Sequence, residues 1–195
     1  NLRNPVFSPD GMKLAFGYDD TNSAAIGLVN VDGSGFARLA GNASFAYGLP
    51  SFSSTGTFVL AAAGTVGSPF TQIEKIDITT GMATNVTNTL GSEAQSIANR
   101  LVISADGAKA VFDARVSSGV TRIFAIDLTS KAVTKLNDYT SEPNTNDSAP
   151  CWVDATTVAY SSDSGGNDNV YRVGVDGTQR RLLVPKAIEP WFGPY

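Results

Sequence analysis

Apolar and polar positions alternate along this chain in short runs separated by turn residues, and no stretch keeps a helical period over three turns. Apolar runs at 13–18, 57–62, 109–114 and 157–162 have the length and composition of strands inside a sheet. After a polar loop each is followed by another strand, at 25–31, 72–78, 122–128 and 170–175. A turn then comes in each case: Asp32-Gly33, Thr79-Thr80-Gly81, Thr129-Ser130-Lys131 or Asp176-Gly177. Short strands follow at 37–40, 84–87, 133–136 and 181–184. Asp10, Asp32, Asp106, Asp154 and Asp176 all fall in turns, where a carboxylate caps backbone N–H groups. The pattern predicts an all-β protein.

The strands recur as one unit. Pro5-Val6-Phe7-Ser8-Pro9-Asp10-Gly11 aligns with Pro50-Ser51-Phe52-Ser53-Ser54-Thr55-Gly56, with Leu101-Val102-Ile103-Ser104-Ala105-Asp106-Gly107 and with Pro150-Cys151-Trp152-Val153-Asp154-Ala155. The anchors Phe7, Phe52, Ile103 and Trp152 lie 45, 51 and 49 residues apart, near the roughly 40–50 residues of a four-stranded propeller blade. The expected architecture is a β-propeller domain over 1–195 with four antiparallel blades at about 4–47, 48–97, 98–147 and 148–188. The strands at Pro5, Pro50, Leu101 and Pro150 are innermost, and Phe7, Phe16, Phe52, Phe58, Phe112, Trp152 and Tyr160 form core between blades.

The chain end repeats the unit's opening once more. Glu189-Pro190-Trp191-Phe192-Gly193-Pro194-Tyr195 mirrors Asn4-Pro5-Val6-Phe7-Ser8-Pro9-Asp10, so 189–195 is expected to form an extra inner strand. Three readings follow: part of a larger propeller, a small or open propeller, or a protomer completed by a neighbour. An inner strand without its own blade needs a partner for its backbone groups. Trp191, Phe192 and Tyr195 are therefore the candidate interaction residues, for a protein partner or for self-association through this strand.

The string Pro-x-Phe-Ser-Pro-Asp-Gly-x-x-Leu-Ala-Phe of the first unit, with its Val-Asp-Gly-Ser turn and Arg-Leu strand, resembles the blade signature of the TolB-type propeller family. The fourth unit, with Tyr160-Ser161-Ser162-Asp163 and Asn169-Val170-Tyr171-Arg172-Val173, is next in likeness. The middle units depart from it: Ser54-Thr55 replaces Pro-Asp and Ala105 replaces the proline. The resemblance implies the propeller fold across the chain. It leaves function open, because such blades occur in periplasmic transport-assembly proteins, in the propellers of prolyl-oligopeptidase-like enzymes and in a pectin-fragment lyase.

Composition narrows the chemistry. The 195 residues include 19 glycines, 9 prolines and no histidine, with a net charge of −4. Without histidine this chain cannot build a Ser-His or Cys-His mechanism by itself. It has no Gly-x-x-x-x-Gly-Lys phosphate loop and no Gly-x-Ser-x-Gly elbow, so no cofactor is expected. An acidic chain lacks the basic footprint of a nucleic-acid binder, and no apolar run reaches the ~18 residues of a membrane helix, so neither nucleic acid nor membrane insertion is expected. The acidic loop holding Asp163, Asn167 and Asp168 is the weak candidate for a cation, without the spacing of an EF-hand. Cys151 is expected to be a packed thiol and Arg180-Arg181 a solvated pair. The first residue is Asn1, which implies a removed leader or a piece of a longer chain, and the wealth of Ser, Thr and Asn leans towards a periplasmic or extracellular place. The reading is a non-enzymatic extracytoplasmic binding or assembly module. Its alternative is a non-catalytic propeller domain of a larger secreted hydrolase or glycan-active enzyme.

Overall fold

The computed structural model describes residues 1–21, 23–87, 90, 93–137, 141 and 143–190. Their strands are β1 (Leu2–Phe7), β2 (Lys13–Asp19), β3 (Ala24–Asn30), β4 (Ala37–Ala40), β5 (Phe45–Phe52), β6 (Phe58–Thr65), β7 (Gln72–Asp77), β8 (Ala83–Asn85), β9 (Ser96–Ile103), β10 (Lys109–Arg115), β11 (Thr121–Asp127), β12 (Val133–Lys135), β13 (Asp147–Trp152), β14 (Thr157–Ser162), β15 (Asn169–Gly174) and β16 (Arg181–Val184). They form four antiparallel meanders, each of four strands in sequence order: β1 to β4, β5 to β8, β9 to β12 and β13 to β16. The fold is all-β, and a 3-10 turn at Ser164–Gly166 is the helical piece among the described residues. Two compact units, Asn1–Thr89 and Leu90–Tyr195, hold two sheets each.

The turns are built locally by aspartates. Asp10 accepts from the Ser8 hydroxyl (2.6 Å) and the Met12 N–H (3.0 Å), and Asp106 repeats this with Ser104 (2.6 Å) and Ala108 (2.9 Å). Gly11 and Gly107 follow at φ of 69° and 70°, a conformation that costs an L side chain roughly 1 kcal/mol or more. Asp154 closes the fourth sheet's turn on Thr156 (2.8 Å). The second sheet lacks this aspartate and uses a hydroxyl relay instead, Ser53 to Thr55 (3.1 Å) and Thr55 to Thr57 (2.8 Å). Between the third and fourth strands Asp32, Asp77, Asp127 and Asp176 each hold a backbone N–H two residues on. The sequence reading had missed Asp77 and Asp127, although both occupy the same place in an Ile-Asp-x-Thr string.

Each first strand carries a bulge against its second. In three sheets the bulge holds a left-handed residue immediately before proline: Asn4, Leu49 and Ala149, at φ of 49°, 54° and 52°. Proline has no N–H for the ladder and keeps the preceding residue out of the right-handed region, so the chain bends there. The third sheet has Arg100-Leu101 in place of that pair. There the buried Asp113 carboxylate accepts from the N–H groups of Asn99 and Arg100, both at 2.8 Å.

Sheet packs on sheet through the same positions in both units. In the first unit Ala15, Ile26, Leu28 and Leu39 meet Tyr47, Phe52, Val59, Ala61, Ala63 and Ile76. In the second, Val111, Ile123, Ala125 and Leu136 meet Trp152, Val158, Tyr160 and Val173. The Trp152 indole N–H also donates to the Val102 carbonyl across that junction at 3.1 Å.

Three expectations need correction. Phe7 is 67% exposed, whereas Phe52, Ile103 and Trp152 are buried, because the face of the first sheet that carries Phe7 has no sheet against it. Phe58 is half-buried rather than core: strand alternation turns it to the other face, where the Lys75 ammonium lies 4.2 Å from its ring centre. Arg180 is not simply solvated, since its Nε donates to the Tyr160 hydroxyl (2.8 Å) and its guanidinium lies over the Tyr171 ring. Cys151 is buried as expected.

Hydrogen bonding holds the turn aspartates Asp10, Asp32, Asp77, Asp106, Asp127, Asp154 and Asp176 below the ordinary carboxylate pKa of 3.8. The neighbouring serine hydroxyl is the main cause at Asp10, Asp32 and Asp106, and backbone N–H groups are at the other four. A depressed carboxylate stabilises the fold above its unfolded pKa, and that contribution disappears as pH falls through the folded value. The urea midpoint is therefore expected to hold from pH 7 to 5 and to fall below about pH 4. Replacing several of these aspartates by asparagine together should flatten the acid limb; an unchanged limb in that variant contradicts the assignment.

Candidate interaction surface

Strand register matches positions of the first sheet with positions of the second. Phe7 pairs with Leu14 as Phe52 pairs with Val59, Leu14 with Val29 as Val59 with Ile76, and Leu2 with Tyr18 as Tyr47 with Ala63. Phe7, Leu14, Phe16, Val29, Leu2 and Tyr18 thus form the face equivalent to the one that the second sheet buries against the first. Phe16, Tyr18 and Phe36 cluster on it, with ring centres 5.7 to 6.3 Å apart. Gly27 makes room: a Cβ there would stand 2.7 Å from the Phe16 ring. Phe16 is buried by its neighbours, but Leu2 (75%), Phe7 and Phe36 (57%) stand in solvent. Arg3 pairs with Asp19 and Arg38 with Asp20 (2.7 Å), while the Lys13 ammonium donates to Asn30 Oδ1 (3.0 Å).

The far face of the fourth sheet is different. Cys151, Ala159 and Val170 are buried there, with Val153 and Ala187 packed against them. The chain after β16 crosses this face: the Lys186 N–H donates to Asn169 Oδ1 (3.0 Å), the Glu189 N–H to Ser161 Oγ (2.6 Å), and Pro190 is buried. Glu189 has φ of 53°, the same left-handed residue before proline as Asn4, Leu49 and Ala149. The bond to Ser161 also has a precedent. Ser161 holds the place on β14 that Asp113 holds on β10, and Asp113 Oδ2 accepts from the Ala149 N–H at 3.4 Å. So 189–190 lies against the fourth sheet as 149–150 lies against the third. Trp191, Phe192 and Tyr195 lie outside the described residues.

Asp163 accepts from the Asn146 backbone N–H (2.7 Å) and side chain (3.0 Å), while Asn167 and Asp168 are exposed. Among the described residues no three Asp, Glu, Cys or His side chains gather as a metal site. Buried Arg122 donates to the carbonyls of Pro143 (2.9 Å) and Thr145, holding the approach to β13. Tyr47 donates to buried Glu74 (2.7 Å), and burial first, with Glu74 second, raises the phenol well above its ordinary value. Asp113, Arg122 and Glu74 had escaped the sequence reading: each shares its strand with other charged residues, so nothing in the local sequence marks it as the buried one.

No family model matches the chain, and no curated protein matches it in sequence. Solved structures do match in fold. TolB from Acinetobacter baumannii superposes with a TM-score of 0.70 at 20% identity, over 97% of this chain and 45% of that one. A putative TolB from Agrobacterium tumefaciens has a TM-score of 0.70 at 19% identity, over 95% of this chain and 68% of its own. The oligogalacturonate lyase of Vibrio parahaemolyticus has a TM-score of 0.70 at 16% identity, over 92% and 52%. The chain thus spans about half the length of the Acinetobacter and Vibrio structures. At these identities the likeness is one of fold, the TolB-like β-propeller.

Asp113 tests the junction chemistry. Asp113→Leu would leave the Asn99 and Arg100 N–H groups without their charged acceptor, and is expected to cost about 3 kcal/mol or more in denaturant unfolding. Asp113→Asn keeps one acceptor oxygen and should cost less. Equal stability of wild type and Asp113→Leu contradicts this account.

Proposed function

We propose that this chain is a non-enzymatic binding or assembly module that works outside the cytoplasm, in the periplasm or extracellular space. The observation that carries the reading is the bare aromatic face of the first sheet: Leu2 and Phe7 stand in solvent at positions whose equivalents in the second and fourth sheets are buried, and exposed Phe36 lies beside the Phe16 and Tyr18 rings. Contiguous exposed apolar surface on a folded protein marks an interaction site. The turn aspartates support it from another side: each carboxylate is engaged with its own turn, and the sequence offers no histidine beside them. The wealth of Ser, Thr and Asn supports the extracytoplasmic placement, and the fold likeness to TolB agrees with an assembly role. No helix among the described residues is long and apolar enough to cross a membrane.

The alternative, a propeller domain within a larger glycan-active or hydrolytic enzyme, draws on the fold likeness to oligogalacturonate lyase, of which this chain spans about half. Incubation of the purified chain with chromogenic esters, peptides and polygalacturonate separates the two in part. The expected outcome is no turnover above buffer. Activity that co-elutes with the protein through repeated chromatography and scales with its concentration would overturn the non-enzymatic reading.

A further inference from the structure

We draw no further inference here: the strongest candidate, the exposed aromatic face of the first sheet around Leu2, Phe7 and Phe36, already carries the proposed function, and nothing in the structure shows what covers it.

Discussion

Each sheet in this protein has a face that cannot stay in water, and the structure depends on covering it with another sheet. Trp152, Val158 and Tyr160 in the second unit and Phe52 and Val59 in the first are withdrawn from solvent in this way, at about 1.5–3 kcal/mol for each large side chain. The same register positions serve both times, so the repeat in the sequence is a repeat of interfaces as much as of strands. The short meanders follow from this. A four-stranded sheet with one wet face is marginal, whereas a pair sharing a dry seam is not.

Backbone groups at the seam have to be satisfied where each first strand bends, and the chain does this in two chemically distinct ways. A left-handed residue before proline removes one N–H from the ladder and aims the next, as at Asn4, Leu49, Ala149 and Glu189. Without proline, the third sheet calls on a buried carboxylate, Asp113, which also reaches the Ala149 N–H. Ser161 makes the corresponding bond to Glu189. One position on the second strand is thereby a coupling point between consecutive sheets, filled by Asp or Ser where a bond is made. In the first sheet the same position is Gly17, beside the Gly48 backbone.

The turn aspartates and Asp113 are engaged with backbone N–H groups of their own turns and bulge. The first sheet in one unit and the fourth in the other each carry a face that packs on no other sheet of that unit, and the two faces are treated unequally. The fourth sheet is covered by the polypeptide that follows it, and the first is left aromatic and open.

The sequence by itself determined the strands, their meander order and their turns, because these are settled within a few residues: alternation sets the strand, and an aspartate with glycine after it sets the turn. The four repeats, and the recurrence of Asn4-Pro5 as Glu189-Pro190, were legible for the same reason. The replacement of Pro-Asp by Ser54-Thr55 in the second unit was legible too, whereas the hydroxyl relay through Ser53, Thr55 and Thr57 was not. What only the tertiary structure decided is which apolar faces are dry. Phe7 and Phe52 sit in nearly the same local string, yet one is exposed and the other buried, since burial belongs to the neighbouring sheet and not to the residue. The role of Asp113 was hidden likewise, because its partners are 13 to 36 residues away along the chain: Asn99 and Arg100 meet it when β9 pairs with β10, and Ala149 only when the fourth sheet packs on the third.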